Sequence, residues 1–126
     1  MSKVIMIVDD SITVRVAVKA TLTKEGYEVQ EGSNGKDALQ KLESLSKSGK
    51  RVNLIISDVN MPQMDGITFI TELRKNMAYK FTPILVLTTE SQESMKLKGK
   101  QAGATGWLVK PFQPTQLVEI IKKLIR

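Results

Sequence analysis

A short apolar run that halts on an aspartate, with turn-forming residues directly behind it, limits this chain more than any other stretch. It reads Leu54-Ile55-Ile56-Ser57-Asp58-Val59-Asn60-Met61-Pro62-Gln63-Met64-Asp65-Gly66. Leu54 to Ile56 lack polar alternation and are rich in β-branched residues, which fits a strand buried on both faces. Asn60, Pro62, Asp65 and Gly66 then mark a loop before the next helical pattern. Asp58 is thereby expected at the carboxyl end of a central strand, where open α/β sheets place their ligands. Taken alone, it reads equally well as a solvent-facing aspartate that ends a strand.

The rest of the chain repeats the pattern. Lys3 to Val8 is nearly continuous in apolar character and stops on Asp9-Asp10. Ser11 is a suitable cap for a helix that carries Ile12, Val16 and Ala20 as a buried stripe, with Val14, Val18 and Leu22 beside it. That helix closes at Lys24-Glu25-Gly26. A second strand, Tyr27 to Glu31, has charged flanks that suit a sheet edge. After the Gly32–Gly35 turn, a helix from about Lys36 to Lys47 presents Ala38, Leu39, Leu42 and Leu45. A third helix, Ile67 to Met77, places Ile67, Ile70, Leu73 and Met77 at inward spacings. Strand four is Ile84 to Leu87, ending in Thr88-Thr89-Glu90. Ser91 is positioned to cap a fourth helix, Gln92 to Ala102, which is thin in apolar content and contains Gly99 at a cost of about 1 kcal/mol relative to alanine. Strand five is Trp107-Leu108-Val109, followed by Lys110-Pro111, and a last helix begins near Pro114 with Leu117, Ile120, Ile121 and Leu124 inward. Strands and helices alternate throughout, which favours parallel pairing with right-handed crossovers. The simplest architecture is an α/β fold with a five-stranded, doubly wound sheet.

Composition removes several chemistries. The 126 residues suit one domain, expected to span 1–126 with no output domain. With neither cysteine nor histidine, the chain cannot build a thiolate or imidazole zinc site, a Ser-His-Asp triad or a histidine base. No apolar stretch approaches 18 residues and no signal peptide precedes Asp9, so the expectation is a cytoplasmic protein without membrane insertion. The formal charge is +6, from 19 basic and 13 acidic residues. The basic residues are dispersed except for Lys96, Lys98 and Lys100, and no aromatics are interleaved for base stacking. That pattern favours a solubilising surface, or one matched to an acidic protein, over nucleic-acid binding.

The strand ends carry the chemistry. Asp9 and Asp10 end strand one, Asp58 strand three, Thr88 strand four and Lys110 strand five. In a parallel sheet these ends share one edge. Clustered carboxylates repel one another, and a hard divalent cation such as Mg²⁺, with Mn²⁺ as a substitute, relieves the repulsion through oxygen ligands. Asp10 and Asp58 are candidate direct ligands, Asp9 a ligand through water, and Asn60 a source of a backbone carbonyl. Lys110 supplies a mobile positive charge and Thr88 a hydroxyl, both suited to phosphoryl oxygens. Asp58 is the candidate nucleophile. No GxxxxGK[ST] or GxGxxG stretch is present, which disfavours an NTPase or dinucleotide binder. A haloacid-type phosphatase would need DxDx(T/V) after the first strand, and Asp9-Asp10-Ser11-Ile12 lacks it. The chain reads as a phosphoryl receiver rather than a kinase or a dedicated enzyme.

Asp9-Asp10, the run SDVNMPQMDG around Asp58, Thr88-Thr89-Glu90 and Lys110-Pro111-Phe112 together resemble the receiver domain of two-component response regulators, closest to the single-domain chemotaxis type. The resemblance covers nearly the whole chain. It implies a flavodoxin-like fold with strand order 2-1-3-4-5, and Mg²⁺-dependent transfer of phosphate from a sensor histidine kinase to Asp58. It also implies slow self-catalysed hydrolysis, sometimes hastened by a phosphatase, and a cis bond at Lys110-Pro111. Trp107 falls at the family's aromatic switch position, more often tyrosine or phenylalanine, and Thr89 where many members carry alanine. Output is expected through the helix 4/strand 5/helix 5 surface, with Met95, Lys96, Gly99 and Lys100 as the partner face. The downstream protein would be a flagellar motor switch component or a histidine-containing transfer domain. A phosphorelay intermediate, a regulator of some other partner and a receiver-like module that is never phosphorylated are the alternatives.

Overall fold

A computed structural model of the chain describes residues 2–125. The apolar runs form β1 (Val4–Val8), β2 (Glu28–Gly32), β3 (Leu54–Ser57), β4 (Ile84–Thr88) and β5 (Gly106–Val109). Between and after them lie α1 (Ile12–Lys24), α2 (Gly35–Lys47), α3 (Gly66–Arg74), α4 (Glu93–Ala102) and α5 (Pro114–Leu124), with a 3-10 turn at Met77–Tyr79 after α3. All strand pairs are parallel and the order is β2-β1-β3-β4-β5. The flavodoxin-like receiver fold is therefore the one this chain adopts, and β2, with its charged residues, is an edge strand.

The core has two layers because the central strands are covered on both faces. Along β1, Val4, Met6 and Val8 pack with Ala38 and Leu42 of α2 and Phe69, Ile70 and Leu73 of α3. Ile5 and Ile7 pack on the other side with Val18 and Leu22 of α1 and Leu117 and Ile121 of α5. This is the physical cause of the unbroken apolar runs: neither face meets water, so neither needs polar residues.

Three local expectations are corrected. In α1, Ile12 and Val16 are 69% and 61% exposed, whereas Val18 and Leu22 are buried. Ile12-Val16-Ala20 and Val14-Val18-Leu22 are both rows at a spacing of four, so periodicity could not choose between them; packing against the sheet did. α3 stops at Arg74 rather than Met77. Asn76 opens the 3-10 turn by accepting a hydrogen bond from the Ala78 amide at 2.9 Å. Met77 is thrown outward, at 80% exposure, and Tyr79 takes the inward place. α4 begins after Gln92, without a side-chain cap from Ser91.

One side chain ties the end of α3 to its surroundings. The Arg74 guanidinium donates to the carbonyls of Tyr79 at 2.7 Å, Thr82 at 2.6 Å and Gly103 at 2.7 Å. Burial pushes its pKa down from the ordinary value. Gly103 ends α4 in the left-handed region, with φ at 118°, so Arg74 joins α3, the 3-10 turn and the end of α4.

Candidate functional site

Strand register builds the site. Val8 of β1 faces Ser57 of β3, so the next residues, Asp9 and Asp58, emerge side by side. The Asp58 amide donates to the Val8 carbonyl at 3.0 Å. On the other side, Thr88 faces Val109, and the Lys110 amide donates to the Thr88 carbonyl at 2.7 Å. Parallel pairing thus gathers the ends of four strands at one edge.

One carboxylate oxygen from each of Asp9, Asp10 and Asp58 lies within 4.8 Å of the others. Asp9 and Asp58 are buried, at 3% and 9% exposure, while Asp10 is open to solvent. The Lys110 ammonium donates to Asp9 Oδ2 at 3.0 Å and approaches Asp58 Oδ2 at 3.4 Å. Three carboxylates facing one ammonium leave net negative charge at this corner. Such an all-oxygen, partly open donor set fits Mg²⁺, which binds through a few carboxylates and retains waters. Asp9 has less freedom than Asp10, because its Oδ1 already accepts the Ser11 amide at 2.9 Å.

The loop after β3 fixes the Asp58 carboxylate. Its Oδ1 accepts the amides of Val59 at 2.7 Å and Asn60 at 3.1 Å. Its Oδ2 is reached among the described residues by Lys110 alone. The loop folds back so closely that a Cβ on Gly66 would lie 2.2 Å from the Asp58 carbonyl oxygen and 2.6 Å from Val59 Cα. Gln63 holds a left-handed φ of 69°, a conformation that costs a non-glycine residue about 1 kcal/mol or more. The Met64 amide closes that turn by donating to Pro62 at 2.8 Å.

Thr88 is fully buried, and its hydroxyl oxygen accepts the Glu90 amide at 3.3 Å. Thr89 is exposed. Trp107 is half-buried, and its indole Nε1–H donates to the Glu90 carbonyl at 2.9 Å, which links β5 to the loop that carries Thr88. Its ring lies against Gly99, where a Cβ would stand 2.6 Å from Trp107 Cζ3. Gly99 is therefore buried under the indole, and of the expected partner face only Met95, Lys96 and Lys100 reach solvent. The Lys110-Pro111 peptide bond is cis.

Two residues near the site escaped sequence reasoning. Arg15 donates from its guanidinium to the Asp9 carbonyl and pairs with Glu31 of β2 at 3.4 Å. The Arg15 side chain is only 14% exposed although it lies on a helix read as an apolar stripe, and its link to Glu31 crosses from α1 to an edge strand. The one signal in the chain was a charged residue set between Val14 and Val16 in that apolar pattern.

The model of the response regulator receiver domain matches residues 5–122. This chain belongs to that family. The receiver is similar to the chemotaxis protein CheY4 of Vibrio cholerae, with 45% identity and a TM-score of 0.91 over 98% of this chain and 99% of that one. A CheY-like receiver domain protein from Methanospirillum hungatei gives 28% identity and a TM-score of 0.83, over 98% and 93% of the two chains. The transcriptional regulatory protein SrrA of Staphylococcus aureus is 36% identical over all 126 residues. The receiver spans about half the length of the curated relatives it matches, 49% of SrrA. Among its described residues no helix is long and apolar enough to cross a membrane.

Proposed function

We propose that this receiver accepts a phosphoryl group on Asp58 from the phosphohistidine of a sensor histidine kinase and passes the signal to a protein partner. The observation that carries the reading is the convergence of Asp9, Asp10 and Asp58 within 4.8 Å, with Lys110 between Asp9 and Asp58. Asp58 Oδ2 is the oxygen offered for attack, since Oδ1 is held by two amides. An oxygen–phosphorus bond forms as the donor's nitrogen–phosphorus bond breaks, and the bonding pair leaves with the imidazole nitrogen. Asp10 and Asp58, with Asp9 through water and the Asn60 carbonyl, are the proposed holders of Mg²⁺. When bound, the ion supplies positive charge against the phosphoryl oxygens. Lys110 and Thr88 supply a cation and a hydroxyl for the same oxygens.

Ile12 and Val16 are exposed on α1, which begins two residues after Asp10, and offer an apolar footing for the donor protein. The response travels from Thr88 through Glu90 to Trp107, because one hydrogen bond joins each pair. A displacement of the Thr88 loop changes what the indole can bind, and so biases the surface of α4, β5 and α5. Likeness to a chemotaxis protein over nearly the whole of both chains supports a cytoplasmic role in chemotaxis or motility, with a flagellar motor component as the partner.

Incubation with a phosphorylated histidine kinase or acetyl phosphate tests the reading. Wild-type protein should incorporate phosphate with Mg²⁺ and lose incorporation on chelation, and Asp58→Asn should take up none while remaining folded. Uptake by Asp58→Asn at the wild-type rate would refute the assignment. Recovery of a motor protein by the beryllium fluoride complex supports the motility role; recovery of a histidine-containing transfer domain points to a relay.

A further inference from the structure

The end of the sheet remote from Asp58 holds a second surface that phosphoryl chemistry does not use. A cleft of about 440 Å³ opens there, between the segment that leads into β3 and the 3-10 turn that leads into β4. Met77 and Phe81 stand at its rim, 80% and 87% exposed. Large apolar groups this open, grouped around one cleft, mark interaction sites more often than isolated surface residues do. The backbone that presents them is fixed. Arg74 holds the carbonyls of Tyr79 and Thr82 at 2.7 and 2.6 Å, and the buried Tyr79 hydroxyl donates to the Leu42 carbonyl. A partner would thus meet anchors that are already ordered, which lowers the entropic cost of binding.

The charged residues that line the cleft are basic. Lys50 and Arg51 line it, and Lys80 sits beside it with its ammonium 5.6 Å from the Phe81 ring centre. Lys50 is paired with Glu28 at 2.6 Å. Among the described residues, neither Arg51 nor Lys80 takes part in an ion pair. Apolar anchors beside two basic side chains that no carboxylate among the described residues pairs complement a segment that is acidic around apolar side chains.

We infer that this cleft docks an acidic protein segment bearing apolar anchors, which seat against Met77 and Phe81 while its carboxylates meet Arg51 and Lys80. The surface lies at the opposite strand ends from Asp58, roughly 15 Å away along the sheet. It therefore leaves the phosphoryl site free, and its occupancy does not rest on the function proposed above.

The test titrates the full chain with a labelled amphipathic peptide, glutamates on one helical face and leucine and phenylalanine on the other, read by anisotropy and by amide shifts. Shifts should centre on residues 49–53 and 77–83. Phe81→Ala, and separately Arg51→Glu with Lys80→Glu, should each weaken binding by about tenfold, and added salt should weaken the wild type. Unchanged urea midpoints and unchanged phosphate uptake on Asp58 show that these variants remain folded. The inference is overturned by no binding at millimolar peptide, equal binding of a lysine-substituted peptide, undiminished binding by the variants, or shifts centred elsewhere. Preferential binding to vesicles of anionic lipid, or a dimer that Phe81→Ala dissolves, would overturn it in favour of a membrane or a second copy.

Discussion

The indole of Trp107 lies on Gly99, in the space where any other residue at that position would carry its Cβ. The glycine that weakens α4 as a helix is what lets β5 place a large ring beneath it. The same ring reaches the Glu90 carbonyl, so the α4 packing and the Thr88 loop share one side chain.

Gly99→Ala should therefore force the indole away. The methyl group would gain about 1 kcal/mol of helix propensity against an overpacking cost of about 1–3 kcal/mol. The expected result is a net loss of about 1 kcal/mol in urea unfolding, with Trp107 emission moved to the red. An unchanged spectrum would show that the ring accommodates the methyl in place.

Gly66→Ala should be more severe. Its Cβ would meet backbone atoms, the Asp58 carbonyl oxygen at 2.2 Å and Val59 Cα at 2.6 Å, which cannot rotate aside as an indole can. A loss of about 3 kcal/mol or more is expected, together with weaker Mg²⁺ binding measured by Trp107 fluorescence. Wild-type stability would mean that the loop after β3 moves freely.

Lys110→Met should separate the structural and chemical roles of this lysine. Removing it leaves the buried Asp9 and Asp58 facing each other without their shared cation, a loss of about 1–3 kcal/mol in chelator. Saturating Mg²⁺ should restore much of the melting temperature without restoring phosphate uptake. Equal melting temperatures with and without Mg²⁺ would argue against cation binding among these carboxylates.

Tyr79→Phe removes the hydroxyl that donates to the Leu42 carbonyl, at a cost of about 1 kcal/mol in denaturant unfolding. Burial raises the Tyr79 pKa above its ordinary value of 10.0. The unfolded chain therefore releases this proton first, and its contribution is complete below about pH 10 and declines as pH rises toward the folded pKa. Alkaline titration of stability should be shallower in Tyr79→Phe than in wild type, and identical slopes would remove Tyr79 from the account.

Much of this was legible in the linear chain. Unbroken apolar runs alternating with helical periods determined a parallel sheet covered on both sides, because a strand that never meets water needs no polar face. Polar residues placed directly after those runs determined which groups would share an edge, since parallel strands all end on the same side. What periodicity could not supply was phase. α1 carries two apolar rows at the same spacing, and only contact with the sheet settled that Val18 and Leu22 go in and Ile12 and Val16 stay out. Met77 likewise matched an inward spacing until Asn76 capped a new turn and Tyr79 took its place. The bonds from Arg15 to the Asp9 carbonyl, from Arg74 to Gly103 and from Trp107 to Glu90 join elements distant in sequence. They depend on how close those elements come in space, a distance that only the packed core defines.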